Sequence, residues 1–251
     1  MIKLKSAREI ELMRDANKIV GEVLQEMNRV IKPGITTGML DKIADKCIRS
    51  FGAEPAFLGY HNFPASICAS VNNEVVHGIP GLRRLKEGDI ISIDVGTRLK
   101  GYYGDGAATF GVGKISARAQ KLIDVTRISL QKGIEAMQEG HRLSDISYAV
   151  QAYVEKNNCS VVRNYVGHGI GQELHEEPQV PNFGPPGRGP LLQRGIVIAI
   201  EPMVNAGIWE VKVLQDQWTV VTADGSLSAH FENTVALGEN GPEILTSSEL
   251  N

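Results

Sequence analysis

A chain of 251 residues, 42% apolar and 22% charged, can bury a sizeable core and fits one large globular domain or two small ones. Its formal net charge of −3 supplies no basic field for nucleic acid or an acidic membrane surface. No secretory apolar segment and no apolar run near ~18 residues is present. Cys47, Cys68 and Cys159 are too scattered for a disulfide framework or a Cys-x-x-Cys pair, so a reducing cytoplasm fits best.

In chain order, MIKLKSAREIELMR interleaves Lys and Arg with acids and reads as a solvated helix face. Ser6 and Glu9 form a capping box for a helix over 7–31, with Ile10, Met13, Ala16, Val20, Leu24 and Met27 on one stripe. Lys32-Pro33-Gly34 stops it. A second helix is predicted over 38–51. Strands follow near 66–72, 89–96 and 101–110. Helices return near 116–138 and 144–157, then strands near 160–165, 196–202, 218–222 and 229–237. NFGPPGRGP (182–190) reads as a surface loop.

The chain echoes itself. KEGDIISIDVG (86–96) aligns with QRGIVIAIEPM (193–203), so that Gly88 matches Gly195 and Asp94 matches Glu201. KPGITTGML aligns likewise with QEGHRLSDI, with Gly34 over Gly140 and Leu40 over Ile146. Two echoes at almost one offset predict a single α+β domain of two related halves, approximately 1–112 and 113–251.

The repeat brings acids into matched places. Asp94 and Glu201 end apolar runs, while Asp105 and Glu232 sit within further strands, one pair in each half. Singly, each could face solvent or accept an arginine. Four converging carboxylates cannot all stay ionised without cations, and a divalent metal pair turns their repulsion into coordination. Nitrogen ligands are offered by His168, between Gly167 and Gly169, by His175, and by His77, followed by Gly78. His61, His141 and His230 stand in weaker contexts and read as ordinary.

YHNFPASICASVNNEVVHGIP, GDIISIDVG, YYGDGAATF, YVGHGIGQELHEEPQVPN, AIEPMV and HFENT, in this order and spacing, resemble the type I methionine aminopeptidases of the bacterial kind without an N-terminal extension. The likeness spans nearly the whole chain. It implies the pita-bread fold, two pseudo-symmetric halves around a curved antiparallel sheet with helices on the outer face. It implies two divalent ions (Co, Mn, Fe or Zn) on Asp94, Asp105, His168, Glu201 and Glu232, with Asp105 and Glu232 bridging. Catalytic roles fall to Glu201 as proton shuttle, His175 at the developing oxyanion and His77 at the scissile amide. Tyr60, Phe63, Cys68, Leu174 and Trp218 would wall a methionine slot, with His77 and His175 also touching substrate.

The implied substrates are N-termini of nascent polypeptides with a small second residue. They place the enzyme in the cytoplasm, as a monomer whose ribosome contact would be transient. No nucleic-acid or membrane partner is expected. Ile2 is not small, so the chain is expected to keep its own Met1, which N-terminal mass spectrometry checks.

Three positions depart from the family pattern: Asn233 where histidine is frequent, Leu174 where an aromatic is common, and Gly106 where a larger residue stands and whose smallness is expected to loosen its strand. Only 32 residues lie between His168 and Glu201, which disfavours the type II enzymes with their helical insert. Proline-specific relatives usually carry a further N-terminal domain, for which a first helix at residue 7 leaves no room. A non-enzymatic binding module would have lost ligands, and a structural metal site is normally closed.

Overall fold

The computed structural model describes residues 2–246, so the expectation about Met1 lies outside the described residues. Among the described residues four α-helices pack on curved sheets. The first, α1 (Ala7–Val30), begins at the Ser6–Glu9 capping box and buries the face that carries Met13, Ala16, Val20, Val23 and Met27. It is followed by α2 (Thr37–Ser50), capped by the Thr36 side chain. The short strands β1 (Glu54–Pro55), β2 (Ile67–Val71) and β3 (Glu74–Val76) precede two long ones, β4 (Ile90–Leu99) and β5 (Tyr102–Gly111). Helices α3 (Ala117–Ala136) and α4 (Leu143–Lys156) come next. The remaining strands are β6 (Ser160–Val161), β7 (Gly167–Gly169), β8 (Glu176–Val180), β9 (Val197–Ile200), β10 (Met203–Asn205), β11 (Val211–Val213), β12 (Val220–Thr222), β13 (Ser228–His230), β14 (Glu232–Gly238) and β15 (Gly241–Ile244).

The main sheet runs β1-β4-β5-β14-β9-β7-β8, with β2 also on β4 and β15 on β14. Outward from the β5–β14 seam the order is symmetric: β5 then β4 on one side, β14 then β9 on the other. The repeat persists in single hydrogen bonds. Gly34 N–H donates to Leu85 O at 2.7 Å, and Gly140 N–H donates to Leu192 O at 3.0 Å. Leu85 and Leu192 donate in turn to Ile35 O and His141 O. All four repeat glycines take the left-handed backbone that their matched turns need: Gly34 and Gly140 at φ +92 and +83, Gly88 and Gly195 at φ +89 and +88.

Three predicted elements differ. The 229–237 segment is two strands, because the chain changes partner at Phe231: His230 pairs with Met203 in a small second sheet, and Glu232 pairs with Ala107 in the main one. The strand expected over 160–165 shrinks to two residues beside β10. Lys5 is not on a solvated helix face. It precedes α1 and is buried against Glu176, a partner 171 residues away that no local pattern reveals.

Candidate active site

The β5–β14 seam sets the site. Asp105 and Glu232 are almost fully buried on these neighbouring strands. Asp94 stands in the middle of β4, paired with Cys68 on one side and Ala107 on the other. Glu201 immediately follows β9, and the Asn182 amide donates to its carbonyl at 3.0 Å. So the loop predicted at 182–190 starts with a buried residue that braces the site. His168 enters on β7 between two glycines. A Cβ on Gly167 would strike Ala199 O, and one on Gly169 would strike Glu177 O, so only glycine lets β7 lie this close between β9 and β8.

All twelve predicted site residues line one cavity of about 390 Å³, together with Phe57 and His61. One end is acidic. The other is walled by aromatics, with Phe63 and Trp218 meeting edge to face at 5.0 Å. His175 stands with its Nδ1 2.7 Å from the Tyr60 hydroxyl and its ring 4.3 Å from that of His168. His77, at φ +60, lies 6.1 Å from the Trp218 ring.

The electrostatics are unfavourable for a cation-free pocket. Burial raises the Asp94 carboxyl to about 7. Asp105, Glu201 and Glu232 are pushed well above the carboxylate range, first by burial and then by neighbouring carboxylates: Asp94 and Glu201 for Asp105, Asp94 for Glu201, and Asp105, Glu201 and Asp94 for Glu232. Asp94 Oδ1 and Glu232 Oε1 are buried with no hydrogen-bond partner. His168 Nδ1 is 2.9 Å from Gly169 O, which can only accept, so the ring proton sits there and Nε2 carries a lone pair. That lone pair faces Asp105 Oδ2 at 3.7 Å and Glu201 Oε1 at 3.6 Å. Burial, and then His175, depress His168 to about 3, so protonation does not relieve the repulsion. A cation does. Ligand atoms of Asp105, His168 and Glu232 all lie within 4.8 Å of one another, and hard oxygens with one imidazole form a donor set suited to divalent metals. The residues fit such an ion.

Two departures resolve each other. Gly106 and Asn233 are direct partners across the seam. The Asn233 amide donates to Thr246 Oγ1 at 2.7 Å, and Thr246, with Val20, covers the face where a Gly106 side chain would project. The strand is therefore not loosened; β5 runs unbroken through Gly106. Leu174 is buried in the cavity wall.

Sequence reasoning missed His230. It is buried, its Nε2 has no hydrogen-bond partner, and it lies 3.8 Å from Glu201 Oε2. Its place two residues before Glu232 in an apolar segment was the available signal. Phe57 and His61 were missed as well: Phe57 lies outside every quoted segment, and His61, although inside YHNFPASICASVNNEVVHGIP, was read as ordinary.

The chain matches the model of metallopeptidase family M24 over residues 11–239 and belongs to that family. Within it, the chain is 59% identical to a methionine aminopeptidase of Clostridium perfringens, across 98% of this chain and 99% of that one. The crystal structure of methionine aminopeptidase from Thermotoga maritima superposes with a TM-score of 0.97 at 47% identity, covering 99% of this chain and 100% of that one. The pita-bread fold expected from the motifs is thus the fold observed. A prolidase from Pyrococcus horikoshii, at 21% identity and TM-score 0.79 over 98% of this chain and 64% of that one, shares the fold alone.

Proposed function

We propose that this enzyme removes the N-terminal methionine from nascent proteins and peptides whose second residue is small. The observation that carries the reading is that four mutually repelling acids, Asp105 and Glu232 buried and Asp94 and Glu201 partly so, share one cavity with an imidazole lone pair and with the aromatic side chains of Tyr60, Phe63 and Trp218. Asp94, Asp105, His168, Glu201 and Glu232 would hold two divalent ions. Such ions supply a water activated near neutral pH and polarise the peptide carbonyl.

The chain's own groups do the rest. Glu201 takes a proton from the attacking water and delivers it to the leaving amine. His175 Nδ1 lies 2.7 Å from the Tyr60 hydroxyl; the proposed role requires the tautomer in which that hydroxyl donates to Nδ1 and Nε2 carries the proton offered to a developing oxyanion. His77, held neutral by burial and then by His175 at a pKa of about 4, serves the scissile amide as an uncharged hydrogen-bonding group. Tyr60, Phe63, Cys68, Leu174 and Trp218 receive the methionine side chain, whose sulfur suits aromatic edges.

The reading includes a single catalytic domain whose halves meet near residue 112, and cytoplasmic action as a monomer on emerging N-termini. No helix among the described residues is long and apolar enough to cross a membrane. The test is a peptide panel on metal-loaded protein. Free methionine should appear from Met-Ala-Ser and not from Met-Leu-Ser, while Leu-Ala-Ser and Ala-Pro-Ser stay intact. Cleavage of Ala-Pro-Ser in place of Met-Ala-Ser would move the assignment to a proline-specific activity.

A further inference from the structure

The loop that carries Leu174 and His175 has no regular structure of its own between β7 and β8, yet its backbone is held, by β5 where Tyr103 N–H donates to Gly171 O at 2.9 Å and by the N-terminal segment. Glu176 Oε1 accepts from the N–H groups of Gln172 and Glu173 at 3.0 and 3.3 Å. Its other oxygen meets Lys5 Nζ at 2.6 Å, and both side chains are only 5% exposed. Lys5 is itself fixed: its N–H donates to Gly195 O at 2.7 Å and its Nζ to Lys3 O at 2.9 Å. Gly171 admits the pair, since a Cβ there would lie 2.6 Å from both Glu176 Oε1 and Lys5 Cε. A second tie runs alongside, from Gln172 Nε2 to the Tyr102 hydroxyl at 3.1 Å and from that hydroxyl to Glu9 at 3.2 Å. Lys5, before α1, and Glu9, in its first turn, therefore both reach the loop, while His175 meets Tyr60.

We propose that the Lys5–Glu176 ion pair is a latch that sets His175, so that Lys5 and Glu176 are positioning residues for catalysis. The inference rests on the function proposed above. A buried pair of this kind gives little net stability but fixes geometry, and losing one partner strands a buried charge. Displacing a catalytic group by about 1 Å can cost on the order of 10²-fold in rate.

The test is a double-mutant cycle in the metal-loaded enzyme. Lys5→Met is expected to lower kcat for Met-Ala-Ser by at least about tenfold in the native background, and by less than about twofold when His175 is already Ala, because a residue acting through His175 has nothing left to position. Lys5→Arg should restore most of kcat. Hydrogen exchange at 171–176 should quicken in Lys5→Met while metal content is unchanged. Equal losses in both backgrounds, or unchanged exchange at 171–176, would overturn the latch. If Lys5→Met does not fold, Glu176→Gln runs the same cycle. Failure of the native enzyme to release methionine would instead sink the functional reading, and the exchange measurement still judges the latch.

Discussion

In the proposed mechanism Glu201 carries both metal binding and proton transfer. It follows the core strand β9, is raised far above the usual carboxylate range by burial, and touches the fields of Asp94, His168 and His230. Glu201→Gln keeps shape and one oxygen but cannot move the proton, so kcat should fall by about 10²–10⁴-fold. Steady-state kinetics with metal content measured in parallel separates this from loss of the ion. His175→Ala should cost about 10²–10³-fold in kcat, as removal of an oxyanion donor does elsewhere. The acids were legible because each stands at a place in an apolar run where only a partner explains it, and because the repeat supplies each with a twin. His230 was not legible. Its importance comes from β13 pairing with β10 at Met203, which brings the ring to Glu201, and that pairing is non-local.

At the scale of elements, the site depends on how closely β7 can pack. Gly167→Ala places a methyl group against Ala199 O and Val180, so it should destabilise the fold by about 1–3 kcal/mol and move His168. Chemical denaturation gives the first effect and metal affinity the second. An unchanged midpoint and affinity would mean that β7 has room the structure does not display. Helices α1 to α4 were readable to within a residue or two, since capping and a 3.6-residue stripe are local signals. Short strands such as β3, β8 and β10 were not. They owe their conformation to partners far along the chain, Val220 for Val76 and Ala229 for Val204, and three to five residues hold too little periodicity to announce this.

For the whole molecule, folding forces four acids together that the unfolded chain leaves apart. Asp94 rises to about 7 in the metal-free fold. Between its ordinary range and that value the folded chain holds a proton that the unfolded chain releases, so metal-free stability falls as pH rises through this window. Binding a divalent ion needs the acids ionised and expels those protons, so affinity rises with pH over the same range. His168, depressed to about 3, is neutral in both folded forms there and cancels from the difference. The drop in Tm on adding a chelator should therefore be larger at about pH 7.5 than at about pH 5.5. A gap that shrinks or stays constant would argue against carboxylate ligation.

The central claim is that these four acids hold catalytic metal. The direct measurement strips the protein with a chelator and follows methionine release from Met-Ala-Ser as Mn(II), Co(II), Fe(II) or Zn(II) is added back singly. The account predicts no release from the stripped protein and saturable recovery with at least one metal. Full activity in the stripped protein, or none with any metal in a protein that remains folded, would contradict it.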